Sequence, residues 1–247
     1  SVRPLTDQEE VARIFSKYDL FALPVTDEGG KILGIITVDD VVDVLEEEST
    51  EDIQKMGAVE PLEAPYLETA FTEVLRKRAS WLVVLFVGQF FTSTAMKAYE
   101  DELAVALELA LFIPLVISSG GNSGSQSSTL IIRAMSLAQV QPKDWYRVIF
   151  RELGMGLLLG LLLGVIGLGR AYWMGIPSDV ALTIGVSVVG IVLSGSIVGS
   201  LLPMALRRFG LDPAVSSAPL IASLVDVAGL VLYFTVAKFF IINRVLH

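Results

Sequence analysis

Apolar positions along this chain keep a clear period in its first third and lose it afterwards. Over residues 9–19, EEVARIFSKYD, Val11, Ile14, Phe15 and Tyr18 fall three or four places apart and predict a helix. ALPVTD and KILGIITV are β-branched runs on either side of the turn signal DEGG, and they predict a short strand pair. DDVVDVLEE then opens a second helix, with Asp39 and Asp40 in its first turn, where negative charge suits the helix dipole. Pro61 and Pro65 interrupt the chain, and Leu67, Ala70, Phe71, Val74 and Leu75 restart an apolar helical face. Beyond residue 78, period gives way to length. Five apolar runs, at 79–97, 102–132, 148–173, 179–205 and 215–242, approach or exceed the ~20 residues that cross a bilayer core.

Composition supports a division into a polar head and a membrane body. The 247 residues are 53% hydrophobic, yet 18% are charged, and the charges crowd into residues 1–78. A mean hydropathy of +0.65 is far too apolar for a soluble domain of this length. The expected fold is mainly α: a small α/β unit at 1–47, an acidic connecting helix with a membrane-entry segment at 48–78, and a five-helix transmembrane domain at 79–247. The net charge of −9 argues against nucleic acid and suits cations. The absence of cysteine excludes disulfides and thiolate metal sites, and the single histidine, His247, leaves little room for zinc or imidazole catalysis. Residue 1 falls inside an apparent domain, with no signal-peptide pattern.

Positive charge orients the spans. Arg76, Lys77 and Arg78 precede the first span, Arg133, Lys143, Arg147 and Arg151 lie between the second and third, and Arg207 and Arg208 between the fourth and fifth. The opposite loops hold YEDE and GIPSD. The expectation is a cytoplasmic head and an outside C-terminus, softened by Lys238 and Arg244.

Three features carry candidate chemistry. From Asp39 to Asp52, eight acids (among them Asp40, Asp43, Glu48, Glu51 and Asp52) occur with no intervening Lys or Arg. Such a run is either a solvated face or a set of oxygen ligands for a hard cation such as Mg²⁺ or Ca²⁺. The second feature is SSGGNSGSQSSTL, residues 118–130, inside the second span. Pro114 removes a backbone donor just before it, and Gly120, Gly121 and Gly124 weaken the helix. An interrupted helix is expected there, with Gly121, Asn122 and Gly124 bordering water. The third is Asp226, mid-span in PLIASLVDVAGLVLYF, where an acid costs about 2.5–3.5 kcal/mol on insertion scales. Its helical neighbours Ala222, Ser223 and Gly229 are small, as a pore face requires. Glu108 is a weaker candidate, nearer the outer end. Gly156, Gly160 and Gly164, like Gly195 and Gly199, repeat at four-residue spacing and read as helix packing.

The stretches EEVARIFSKYDL and ALPVTDEGGKILGIITVDDVV resemble a CBS motif, which usually works in pairs; one is present in these residues. With the acidic helix, five spans, GGNSGSQSS in the second span and DPAVSSAPLIASLVDVAGL entering the fifth, the whole resembles the MgtE family of magnesium channels. That family also has a helical N-terminal domain and a first CBS motif, neither of which is matched here. The resemblance implies a homodimer in the plasma (inner) membrane, with a Mg²⁺ pore on its two-fold axis. It gives Asp226 as the ion-selecting carboxylate and the carbonyl of Ala222 as a second ligand to the hydrated ion. It places a closing Mg²⁺ sensor among Asp40, Asp43, Glu48, Glu51, Asp52 and Asp212, and gives Thr37 and Asp40 as contacts for an adenine nucleotide such as ATP. Two rival readings stay open: a CBS-regulated transporter of Mn²⁺ or Co²⁺, and a membrane-anchored sensor that transports nothing. An enzyme is not expected, since an intramembrane aspartyl protease needs a second catalytic acid in the spans.

Overall fold

The computed structural model describes residues 1–100 and 107–242. The first residues of the expected second span, 102–106, and Arg244 and His247 lie outside the described residues. The head begins with helix α1 (Gln8–Tyr18), whose N-cap Asp7 accepts hydrogen bonds from the backbone N–H of Glu9 and Glu10. Strands β1 (Ala22–Thr26) and β2 (Ile32–Thr37) pair antiparallel, and Val2 bridges Val25 in parallel. Between the strands, the Asp27 carboxylate accepts from the N–H of Gly29 and Lys31, and Gly30 takes the left-handed φ of 78° that the turn needs. Helix α2 (Val38–Met56) follows at once. Val2, Val11, Ala12, Phe15, Leu23 and Val41 form the small head core. Phe21, Ile32, Leu33, Ile35, Val42 and Leu45 remain exposed, an apolar surface that this single motif does not cover.

A mostly irregular segment leads from Gly57 to Ala70 into α3 (Phe71–Ala98), so the membrane-entry segment and the first span are one helix. Lys77, one of the three basic residues that precede the first span in sequence, is buried. Its ammonium donates to the Pro61 carbonyl at 2.5 Å and pairs with Glu73 at 3.2 Å, tying the linker to α3.

The bundle continues with α4 (Leu107–Ser136), α5 (Trp145–Trp173), α6 (Ser178–Arg208) and α7 (Ala218–Ala237), the last running into a π turn at Lys238–Ile242. Among the described residues, four helical segments are long and apolar enough to cross a membrane: Phe71–Ala98, Pro142–Trp173, Ser178–Arg208 and Ala218–Ile241. Helix α4 spans 30 residues but is diluted by its polar stretch. Helix α6 is the centre, packed by α4, α5 and α7, and Tyr233 of α7 reaches across to donate to the Leu109 carbonyl at 3.1 Å.

One sequence expectation is corrected here. Helix α4 is not interrupted: it is α-helical through all of GGNSGSQSS. The three glycines cost about 1 kcal/mol each relative to alanine. Opening the helix at membrane depth would strand several backbone groups at several kcal/mol apiece, so the helix persists. Two of these glycines serve packing. A Cβ on Gly195 would fall 2.3 Å from the Gly120 carbonyl oxygen, and one on Gly199 would fall 2.0 Å from that of Gly124. Helices α4 and α6 therefore cross with backbones touching. On the far side of α6, Gly156, Gly160 and Gly164 of α5 meet Leu193, Val189 and Gly185.

This crossing makes a stability prediction. Gly199→Ala forces a methyl into a carbonyl, an overpacking of about 1–3 kcal/mol or more. Gly169→Ala, with nothing within 4 Å of the added carbon, should be neutral or stabilising. Thermal unfolding of the detergent-solubilised protein should separate the two variants by several degrees; coincident curves would refute the packing argument.

Candidate functional site

Helix α7 starts where the chain emerges from a turn of 3₁₀ helix at Pro213–Val215. Ser217 caps it by accepting from the Leu220 N–H, with Pro219 in the first turn. Two turns in, Ala222, Ser223 and Asp226 share one half-buried face. Gly121 of α4 lies directly against it: a Cβ there would be 3.3 Å from the Ala222 Cβ and 3.9 Å from Asp226 Oδ1. The absent side chain thus lets α4 approach α7 closely beside one carboxylate oxygen. From the other side, Gln89 of α3 donates its amide to Ser223 Oγ at 3.2 Å and to Asp226 Oδ2 at 3.4 Å. Gln89 was not among the residues singled out from sequence. Its signal was present, as a lone amide in the apolar run WLVVLFVGQFF.

The remaining residues expected to border water divide. Asn122 is exposed, with its amide on Ser118 Oγ at 3.5 Å, and Ser118, Asn122 and Gln126 line a groove against Leu159, Leu162 and Leu163 of α5. Gly124 is buried against Ile221 and Gly195, and Gly229 against Ile117 and Ile191; both fill helix contacts. Much of the hydroxyl wealth of α4 is likewise used on neighbouring helices. Ser123 bonds Ser196 at 2.7 Å, Ser127 donates to Glu152 at 2.7 Å, and Ser125 and Ser128 donate to the carbonyls of Ala218 and Ser216.

A second polar centre joins the head to the bundle. The C-terminal end of α2 packs on the Pro213–Val215 turn. Lys55 donates to Asp212 Oδ2 at 2.6 Å and pairs with Glu51 one turn back. Burial works against its charge, yet the hydrogen bonds to Asp212 and Glu51 raise its pKa above the ordinary lysine value. Asp52 stands beside this bridge. Burial, then the charges of Asp212 and Glu9, push its carboxyl up to about 6 against the pull of Lys55. Glu48 accepts from Gln8 of α1 at 2.5 Å. Asp43, Glu46, Glu47, Glu51 and Glu63 line an open cleft of ≈ 1220 Å³ between α2 and the linker.

Asp40 lies apart from these groups. It accepts from the N–H and hydroxyl of Thr37 at 2.8 and 2.7 Å, closing a capping box at the start of α2, and these bonds lower its pKa. The two residues proposed for a nucleotide are thus engaged with each other. Among the described residues, no three His, Cys, Asp or Glu side chains converge as a metal chelate. The donors of the cleft are carboxylates spread around a wide opening, which suits a hard cation that keeps its water.

Residues 113–236, from the second apolar helix through the Asp226 helix, match the family model described as MgtE, divalent cation transporter. The chain belongs to the MgtE family of divalent cation transporters. Residues 1–47 match the CBS domain model. Three proteins named magnesium transporter MgtE are similar over almost the whole chain. The Thermus thermophilus protein is 47% identical over 237 residues, covering 96% of this chain and 52% of that protein. The Bacillus subtilis protein is 34% identical, covering 98% and 53%. The Enterococcus faecalis protein is 32% identical, covering 97% and 52%. The chain spans about half the length of these curated MgtE relatives.

Proposed function

We propose that this chain forms the ion-conducting and gating half of a Mg²⁺ transporter that works as a homodimer, with Asp226 of each subunit facing a shared axis. The observation that carries this reading is an acidic side chain half-buried at the middle of an apolar helix, on one face with the small residues Ala222 and Ser223 and against Gly121 of α4. Membrane-embedded acids mark ion pathways. Mg²⁺ sheds water reluctantly, so the paired carboxylates and the Ala222 carbonyl hold the ion through its hydration shell. The names of the three relatives support Mg²⁺ as cargo over Mn²⁺ or Co²⁺. Five helices cross the membrane in this reading, α4 among them, because its polar side chains are largely bonded to other helices or turned to the groove beside Asn122. The head lies on the cytoplasmic side with Arg133, Arg147, Arg207 and Arg208, and the protein is resident in the plasma membrane. The exposed apolar face of the CBS motif supports its pairing with a second such motif.

Regulation follows from the junction at Asp212. Helix α2 carries dense negative charge to the bundle, and Lys55 alone cannot balance Glu51, Asp52 and Asp212. Cytosolic Mg²⁺, held among Asp43, Glu48, Glu51, Asp52 and Asp212, supplies the missing positive charge. Docked α2 then biases the bundle toward the closed state. The direct test of function is Mg²⁺ uptake into liposomes that hold the purified chain and a trapped indicator. Uptake that survives a monovalent-ion excess is expected; none above protein-free liposomes would favour the anchored-sensor reading.

The same junction predicts a pH dependence. The Asp52 carboxyl rises from 3.8 to about 6 on folding, so docking favours its protonated form. That contribution is complete below 3.8 and disappears as pH rises through about 6. In Mg²⁺-free buffer, hydrogen-exchange protection of α2 amides, corrected for intrinsic rates, should fall between about pH 4 and 6 and level off above. In Asp52→Asn protein it should stay flat; a fall as steep as that of the unmodified chain would place the titrating group elsewhere.

A further inference from the structure

Helix α3 meets the bundle along one narrow stripe. From Trp81 onward its partly buried positions, Leu85, Gly88, Gln89, Thr92 and Ala95 among them, recur every three or four residues, and α7 is the neighbour of this helix in the bundle. At one end of the stripe, Tyr99 stacks on Phe234 with ring centroids 4.8 Å apart. From Trp81 onward the other positions of α3 are exposed, with Phe86, Phe90 and Phe91 outward. An amide in such a helix is costly in lipid unless it finds a partner. Gln89 finds two, Ser223 Oγ and Asp226 Oδ2. Its second contact matters more, because a carboxylate oxygen that accepts an amide hydrogen is held in direction as well as in place.

We propose that Gln89 is a positioning residue for ion selection: its amide holds Oδ2 of Asp226 against Ser223, so that Oδ1, on the Gly121 side and with no hydrogen-bond donor among the described residues, is the oxygen left for the ion. The inference rests on Asp226 being the ion-selecting carboxylate. Aspartate has two freely interchanging oxygens and two rotatable bonds. With Gln89 in place, one oxygen is spoken for and the carboxylate plane is set by α3. Without it, the side chain samples several rotamers, and each ion that arrives must first order it. Binding then weakens while the path itself stays open. Gln89 is also the route by which movement of α3, joined through Lys77 and Pro61 to the linker after α2, reaches the carboxylate.

The test is a double-mutant cycle on Mg²⁺ uptake by the reconstituted chain, with Gln89→Leu, Asp226→Asn and both together. A near-isosteric Gln89→Met provides a second variant that keeps side-chain volume. Gln89→Leu and Gln89→Met should each raise the half-saturating Mg²⁺ concentration about fivefold, in line with loss of one hydrogen bond of ordinary net strength, with maximal rate held within about twofold. In the Asp226→Asn background, Gln89→Leu should add no further shift, since it acts through that carboxylate. Additive effects, or unchanged half-saturation in both single Gln89 variants, would overturn the assignment. A lower maximal rate with unchanged half-saturation would make Gln89 a structural residue only, and would equally overturn it. If Asp226→Asn itself leaves half-saturation unaltered, the reading of Asp226 fails first, whatever Gln89 does.

Discussion

Asp226→Asn protein should require on the order of 100-fold more Mg²⁺ for half-maximal uptake and should lose most of its preference for divalent over monovalent cations. The magnitude follows from charge alone. A hydrated divalent ion held with its centre roughly 5 Å from each carboxylate gains about 1.7 kcal/mol per carboxylate even at the dielectric of bulk water. Two subunits give about 3.3 kcal/mol, or a little over two decades in affinity. A monovalent ion gains half of that, so the pair alone distinguishes the two charge classes by roughly tenfold to twentyfold. The lower dielectric of a membrane site enlarges both figures, which makes them floors. Asparagine keeps the shape of the side chain, and its carbonyl still accepts the Gln89 amide, so folding should be undisturbed. The measurement is the concentration dependence of indicator-reported uptake, with K⁺ as competitor. Unchanged Mg²⁺ selectivity in folded Asp226→Asn protein would sink the proposed pore.

The second large effect concerns closure. Replacing Asp43, Glu48, Glu51 and Asp52 together by alanine should raise uptake at millimolar Mg²⁺ roughly tenfold over the unmodified chain. Each exposed or half-exposed carboxylate contributes up to about 1 kcal/mol to a cation-dependent docked state. Losing several moves a two-state balance from mostly closed to mostly open, which takes about 2.6 kcal/mol for a shift from 1:9 to 9:1. The variant also leaves Lys55 with Asp212 as its sole carboxylate partner of the two described. Uptake should therefore stay high as Mg²⁺ is raised from micromolar to millimolar. Inhibition that persists at the same Mg²⁺ concentration would put the sensor outside this helix.

Much of the fold was legible because it rests on local pattern. The 3.6-residue period of α1, the strand pair around Asp27–Gly30 and the apolar length of the bundle helices all express short-range chemistry. The uninterrupted course of α4 was not legible. Glycine, serine and proline propensities in water predict a break at GGNSG, but at membrane depth there is no water to take the freed backbone groups, and the sign of the argument reverses. Gly124 and Gly229 carry a related ambiguity: small residues serve equally to open a path and to admit a neighbouring helix, and within this chain both meet a neighbouring helix. Asp226 stood out because charge in an apolar run needs a purpose. Gln89 and Lys55 did not, since each draws its meaning from a residue over 130 positions away, Asp226 at 137 and Asp212 at 157.

The glycine crossing of α4 and α6 has a mechanical consequence. Carbonyls of Gly120 and Gly124 sit where Cβ atoms would be on Gly195 and Gly199, so the two helices are notched together like teeth on a rack. Sliding by one residue, a rise of about 1.5 Å, would bring side-chain-bearing positions onto those carbonyls. The register of α4, α6 and, through its own glycines, α5 is therefore fixed, and the three travel as one block. Motion that opened or shut the proposed pore would be taken up at the softer joints: between α3 and α7, at the turn holding Asp212, and between the subunits of the proposed homodimer.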